Sequence, residues 1–324
     1  MNAATRPTTI VTVTLNPSVD RTIEIARLER GRVSRATGNA IHPGGKGVNV
    51  TRALLANGFD SLALLPLGGP DGRRLAELLE EEGVAHDAVA VHGETRSNIT
   101  VAEPDGTTTK LNAQGEALRQ DELDAVVARL LQVAHPGDWV VLCGSLPPGV
   151  PDDVYATVTG TLREAGMRVV VDTSGPALTA ALAAAPDLVK PNAEELAQAV
   201  GRPVVTVGDA VAAAQEVRER GVETVVISLG AAGAVLVDGE GVLAGTSRAA
   251  EVRSSVGAGD CFLAGYLGAR DAGRDRALTT ALAYGAAAVQ LPGSQVPGPD
   301  DVDLAAARIL TSEELEASFA TLVD

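Results

Sequence analysis

From about Asp138 onward, short runs of β-branched and apolar residues alternate with longer stretches whose apolar positions recur every three to four residues. Trp139–Cys143, Val169–Asp172, Leu188–Lys190, Thr224–Ser228 and Ala234–Val237 read as strands. Asp121–Val133, Asp153–Glu164, Ala193–Val200 and Asp209–Arg220 read as helices, most of them bounded by Gly, Pro or an Asp or Ser cap. The alternation predicts βα units feeding a mostly parallel sheet. With right-handed crossovers these units give a three-layer, doubly wound α/β fold.

Residues 1–115 follow another pattern. Arg21–Ala26, Val33–Thr37, Asn98–Glu103 and Thr107–Asn112 are β-like, polar on alternate positions and separated by turn signals. Pro104-Asp105-Gly106 joins the last two as a hairpin turn. These segments flank a helix at Val48–Leu55 and a strand at Leu62–Pro66, which begin the main sheet. A small antiparallel β sheet, with strands from about 21–37 and 96–113, is therefore expected over the carboxyl ends of the main strands, as a lid on a crevice. No low-complexity linker divides the pattern, so residues 1–324 read as a single α/β domain carrying this lid.

Composition narrows the functional classes. With 45% hydrophobic but only 2% aromatic residues, the core must be built from Ala, Val and Leu. A formal net charge of −16 opposes nonspecific binding to nucleic acid or anionic membrane, and the scarcity of aromatics leaves little for stacking bases. No apolar run reaches membrane-spanning length, and the start of the chain lacks a signal-peptide pattern, so a cytoplasmic location is expected. Cys143 and Cys261 stand far apart in apolar contexts and are expected in the core. Of 26 basic residues only Lys46, Lys110 and Lys190 are lysine, a compact charge suited to phosphate.

The strongest local signal is Ser254-Ser255-Val256-Gly257-Ala258-Gly259-Asp260, a glycine-rich turn running into an apolar helix at Asp260–Leu267. Small residues there let successive N–H groups point into one space at a helix N-terminus, as a transferring phosphoryl group requires. Asp260 would repel that group, so its useful role is to take a proton from the attacking hydroxyl; a plain helix cap is the alternative. Pro43-Gly44-Gly45-Lys46-Gly47-Val48-Asn49 opens another helix without Walker A spacing, and offers Lys46 and backbone N–H groups to an anionic or polyhydroxyl ligand. Asp20 follows the strand-like Ile10-Val11-Thr12-Val13, where a carboxylate can hold sugar hydroxyls or merely cap a turn. Arg96, Asn98 and Lys110 place positive charge and an amide on the lid, where a solvated face is the alternative. Asn192 and Glu195 share one face of a first helical turn, where the carboxylate can hold Mg²⁺ through water; the same spacing makes a capping box. Ser228-Leu229-Gly230-Ala231-Ala232-Gly233 turns one strand into the next with enough glycine to admit a nucleotide's phosphates or ribose.

In this order, the segments from Thr14 to about Gly293 resemble the ribokinase-like carbohydrate kinases, also called the phosphofructokinase B family. The resemblance implies ATP and Mg²⁺, a general base at Asp260, and an anion hole from the backbone of Gly257, Ala258, Gly259 and Asp260. It places Lys190, Asn192, Ser228, Gly230 and Gly233, with Ala258 and Gly259, at the nucleotide, and ties Glu195 to the metal through water. The small-residue helix around Ala283–Ala287 would line the adenine pocket. Thr14–Asp20, Pro43–Asn49 and Gly144-Ser145-Leu146-Pro147 look most like the branch acting on phosphorylated ketohexoses. By that similarity Lys46 and Arg96 bind the sugar's phosphate. Asp20, Gly44, Gly45, Asn49 and Asn98 hold the sugar, with Ser145 nearby. The implied reaction is transfer from MgATP to the 6-hydroxyl of fructose 1-phosphate; tagatose 6-phosphate or fructose 6-phosphate as acceptor, and a sensor without turnover, stay open. Ser255, Cys261 and the turn Gly69–Arg74 depart from the family pattern without touching the base. An exposed lid with one apolar face and open edges is expected to pair in a homodimer.

Overall fold

All five residues of Ile10–Thr14 are buried, as befits a strand covered on both faces of a parallel sheet. The computed structural model describes residues 9–323. Its strands are β1 (Ile10–Thr14), β2 (Ser18–Ile25), β3 (Ala36–Gly44), β4 (Ser61–Leu67), β5 (His86–Ala90), β6 (Arg96–Ala102), β7 (Thr108–Asn112), β8 (Trp139–Cys143), β9 (Arg168–Asp172), β10 (Leu188–Val189), β11 (Thr224–Ser228), β12 (Ala234–Asp238), β13 (Gly241–Ser247) and β14 (Ala307–Ile309). Its helices are α1 (Lys46–Ala56), α2 (Gly69–Glu81), α3 (Gln120–Val133), α4 (Val154–Glu164), α5 (Gly175–Leu182), α6 (Ala193–Val200), α7 (Val207–Glu219), α8 (Ala258–Ala269), α9 (Arg274–Ala288) and α10 (Ser312–Ser318).

The main sheet has the order β14-β13-β12-β11-β10-β9-β8-β1-β4-β5. Pairing is parallel from β5 through β11 and antiparallel from β11 to β14. Alternate residues of one strand feed two apolar layers: Val140 and Leu142 pack with α3 to α7, whereas Val141 and Cys143 pack with α1, α8 and α9. This is the three-layer α/β arrangement expected from the alternation. Cys143 and Cys261 are both buried and free. Among the described residues, no helix is long and apolar enough to cross a membrane.

The lid is a second sheet of order β3-β2-β6-β7. Its outer pairs, β2/β3 and β6/β7, are antiparallel, and a parallel β2/β6 contact joins them. One expected lid segment is displaced. Val33–Thr37 does not form the second strand; Val33 is 88% exposed in a connecting loop, and the strand is β3, which pairs with β2 up to Gly44. A single apolar residue in an Arg- and Gly-rich run has no core face to bury, so the pairing begins only at Ala36. The shift matters, because β3 delivers the chain directly into the Gly44-Gly45-Lys46 turn.

β1 lies between β4 and β8, with the chain after β1 leaving for the lid. The carboxyl ends of β1, β8, β9, β10 and β11 therefore open on one crevice, where an open α/β sheet places its ligands.

Candidate active site

Glycine sets the floor of this crevice. Gly257 takes a left-handed φ of 74° and starts α8; Gly45 has φ 121° and starts α1. The N–H groups of Asp260 and Cys261 bond to the Gly257 carbonyl, so Ala258 and Gly259 are the turn residues whose N–H groups face outward from the helix start. Lys190 Nζ stands 3.3 Å from where a side chain on Gly259 would begin, which adds an ammonium to that helix start. A phosphoryl group is the ligand such a place fits.

Asp260 is 7% exposed, in the first turn of α8. Its Oδ2 accepts a hydrogen bond from Asn49 Nδ2 at 2.8 Å. Burial raises its carboxyl from 3.8 to about 6, with the Lys46 ammonium opposing the rise and the Asp172 carboxylate adding to it. That value suits a general base near neutral pH.

Asp172, at the end of β9, joins the two site lysines. Its Oδ1 is 2.7 Å from Lys46 Nζ and its Oδ2 is 3.4 Å from Lys190 Nζ. Burial alone would raise its carboxyl, but Lys190 and Lys46 hold it below the ordinary aspartate value. Lys46 in turn stays well above the ordinary lysine range: burial pulls it down, and Asp172, Glu195 and Asp260 outweigh that pull. The ion-pair partners of Lys46 are thus Asp172 and Glu195, the latter at 3.7 Å.

Asn192 and Glu195 form the capping box that their spacing allows: Asn192 Oδ1 accepts from the Glu195 N–H, and Glu195 Oε2 accepts from the Asn192 N–H. The other Glu195 oxygen faces Lys46. Among the described residues, no group of three or more His, Cys, Asp or Glu side chains could hold a metal ion. Asp172 is taken by the two lysines, so Glu195 is the acidic side chain here that could hold a Mg²⁺ through water. Ser228 donates its N–H to the Pro191 carbonyl, which brings the Ser228–Gly233 turn beside Asn192. Gly230 begins a short 3₁₀ turn there, and Gly233 passes so close to Gly245 that a Cβ would meet its carbonyl oxygen at 2.2 Å. Ala283 and Ala287 are buried, with the intermediate Gly285 and Ala286 between them.

At the lid side, Asp20 Oδ1 accepts from Ser18 Oγ at 2.7 Å and from Asn98 Nδ2 at 3.0 Å. Gly44 lies directly against this carboxylate; a Cβ on Gly44 would stand 2.4 Å from its carbon. Gly44→Ala is therefore expected to displace Asp20 and to raise the KM for whatever substrate that carboxylate holds by about 10- to 100-fold, with a smaller change in kcat. Steady-state kinetics check this, and a KM unchanged for every substrate would remove Asp20 from the binding site.

Arg96 pairs with Ser18 across the lid and donates from Nη1 to the Ala113 carbonyl at 2.8 Å. Asn16 Nδ2 links the Gln114 carbonyl at 3.1 Å to Ser145 Oγ at 3.4 Å. Arg96 Nε and Asn98 Oδ1 are buried with no protein partner, a donor and an acceptor that a polar ligand satisfies. Lys110 is exposed on β7, on the lid face shared with Asp20.

The structure thus gathers Asp260, Asn49, Lys46, Lys190 and Glu195 at one end of the crevice, and Asp20, Gly44, Asn98, Arg96 and Ser145 toward the other. Two residues stand out only in three dimensions, Asp172 and Asn16. The signal for both was their position at the carboxyl end of a main-sheet strand, Asp172 as the last residue of β9 and Asn16 two residues past β1.

The pfkB family carbohydrate kinase model matches residues 13–301. The chain belongs to that family. The 1-phosphofructokinase of Rhodobacter capsulatus is 38% identical over 310 residues, covering 94% of this chain and 98% of that protein. The 1-phosphofructokinase of Xanthomonas campestris pv. campestris is 40% identical over 264 residues, 80% of this chain and 83% of that one. Among solved structures, phosphofructokinase-2 from Escherichia coli in complex with substrates and products superposes with a TM-score of 0.86 at 32% identity, covering 97% of this chain and 99% of that one. The fold is accordingly the ribokinase-like α/β fold, and this pfkB kinase is a phosphotransferase with an alcohol acceptor.

Proposed function

We propose that this kinase transfers the γ-phosphoryl group of MgATP to the 6-hydroxyl of fructose 1-phosphate, giving fructose 1,6-bisphosphate. The observation that carries the reading is the polarity of the crevice: a buried base beside two lysines at one end, and the half-buried cation Arg96 at the other. A sugar lying between them presents its free hydroxyl to Asp260 and its existing phosphate to Arg96. The names of the similar proteins point the same way.

In this reading Asp260 takes the proton of the 6-hydroxyl as the O–P bond forms and the β,γ-bridge bond breaks. The N–H groups of Gly257, Ala258 and Gly259 bear the charge on the phosphoryl group in transit. Lys46 stands at this end, beside Asp172, and so serves the group in transfer; the sugar's phosphate falls to Arg96 with Asn16 and Ser145. Asp20 and Asn98 hold the hydroxyls, with Gly45 and Asn49 below them. Lys190, Asn192, Ser228, Gly230 and Gly233 hold the nucleotide. Mg²⁺, held through water by Glu195, would neutralise phosphate charge.

The lid's outer face carries Ile23, Ile41, Ile99 and Leu111, with Ile41 36% and Leu111 57% exposed, on the opposite side from Asp20. Pairing with a second copy covers this face and the open edges of β3 and β7. Residues 1–324 act as one domain with its lid, in the cytoplasm where ATP and sugar phosphates are supplied. Which sugar phosphates drive ADP release from MgATP tests the reading, with fructose 1-phosphate expected to lead.

A further inference from the structure

Arg52 follows Asn49 by three residues on α1, and its side chain is 4% exposed. The proposed reaction leaves it without a role, yet its guanidinium is held in three directions. Nε and Nη2 donate to the two Glu82 oxygens at 2.6 and 3.0 Å; Nη1 donates to the Ser294 carbonyl at 2.9 Å and reaches Asn49 Oδ1 at 3.4 Å.

We infer that Arg52 is a positioning residue that fixes the Asn49 amide toward Asp260 and ties it to the segment leading into the α8 helix start. The inference rests on Asp260 as the base. A guanidinium can only donate and a carboxylate can only accept. An amide standing between the two has one orientation that satisfies both, with Oδ1 toward Arg52 and Nδ2 toward Asp260. Without Arg52 that amide is free to turn over. Its oxygen would then face a carboxylate oxygen, and the base would lose its donor.

The second arm reaches the anion hole. Ser254 Oγ donates to the Gly293 carbonyl at 2.8 Å and accepts from the Val256 N–H at 3.2 Å. Ser294 adjoins Gly293 in the chain and Val256 adjoins Gly257, so the hold on the Ser294 carbonyl passes through Ser254 to the glycine turn. Asn49 Nδ2 itself lies 3.6 Å from where a Gly257 side chain would begin. One planar group thereby sets both the partner of the base and the segment that leads into the phosphoryl-binding turn. Lysine, a single point of charge, does not supply these directions. Glu82 holds the fork at the end of α2, and its side chain is 34% exposed, so its own carboxylate can be changed without leaving a buried orphan.

The test compares Arg52→Gln, Arg52→Lys and Glu82→Gln with the unaltered full-length enzyme, using MgATP and fructose 1-phosphate. Arg52→Gln is expected to lower kcat by about 10- to 100-fold, with the KM for MgATP changed less than about twofold. The charged groups facing Asp260 are Lys46 from α1, Lys190 from the end of β10 and Asp172 from β9, and all three stay in place. The acid limb of the kcat/KM profile should therefore move up by about half a unit or more, because the ionised base has lost a donor. Arg52→Lys restores the charge without the fork and is expected not to restore kcat. Glu82→Gln should move kcat and the acid limb the same way by about threefold or less, and it carries the test if Arg52→Gln does not fold. A lower melting temperature with unchanged kcat and acid limb in the folded variants would overturn the positioning role. If Asp260→Asn loses turnover in that same comparison, only the role of Arg52 fails; if Asp260→Asn turns over normally, the base assignment fails first.

Discussion

Asp260→Asn is expected to lower turnover of fructose 1-phosphate by about 100- to 10,000-fold, the usual contribution of a positioned general base. KM values for MgATP and the sugar should stay near those of the unaltered enzyme, because asparagine keeps the shape and can still accept from Asn49. The unaltered enzyme should show kcat/KM rising with pH through about 6, where the Asp260 carboxyl ionises. The sign for stability runs opposite to that for activity. The folded value lies above the ordinary 3.8, so the native state favours the neutral carboxyl. Stability from this group is complete below about pH 4 and is lost as pH rises through about 6. Asp260→Asn should therefore be more stable than the unaltered enzyme at pH 8, by up to about 3 kcal/mol for a rise of about two units, and no more stable at pH 4. Thermal melts at both pH values, alongside the kinetics, check the pair. Near-normal turnover would mean that another group takes the proton.

The second large effect is expected at Asp172. Asp172→Asn removes the carboxylate that Lys46 and Lys190 share and leaves buried lysine charge undercompensated. Breaking a buried ion pair from one side costs about 3–5 kcal/mol, so a clear fall in denaturation midpoint is expected. The charge of Asp172 also pushes the Asp260 carboxyl up. Its loss should shift the acid limb of the kcat/KM profile to lower pH, the reverse of the shift expected for Arg52→Gln. An unchanged midpoint together with an unmoved acid limb would show that Asp172 does not organise the lysines.

The helix start and its buried Asp260 were legible in the sequence because everything they need is local: glycine for the left-handed start, small residues for close approach, and an acid in the first turn. The inner parallel strands were equally plain, since burial on both faces makes them continuous apolar runs. Asp172 was not, because a strand ending in aspartate is commonplace. Its meaning comes from Lys46 arriving at the start of α1 and Lys190 at the end of β10. Arg52 lay inside a helix whose pattern predicted only burial of one face, and nothing local distinguishes a solvated arginine from one pinned at three points. β5, β13 and β14 lie toward the two edges of the main sheet and carry mixed, half-exposed patterns, too weak to separate from loops. The lid's second strand was misplaced for the opposite reason: Val33 offered apolar character where the fold had no partner for it.

The surroundings of Lys46 were only partly legible. Its rarity in an arginine-rich chain marked it for phosphate, but the direction of its side chain toward Asp172 depends on contacts no spacing encodes. In the proposed reaction Lys46 therefore serves the group in transfer rather than the sugar's phosphate.

The most direct measurement is the initial rate of ADP release with MgATP against fructose 1-phosphate, fructose 6-phosphate, tagatose 6-phosphate, free fructose and ribose. The account predicts the highest kcat/KM for fructose 1-phosphate, exceeding free fructose by about 100-fold or more, as a half-buried cation that loses its phosphate partner would require. A preference for another of these sugars would contradict the assigned acceptor, and ligand binding without ADP release from any would contradict the kinase reading of this site.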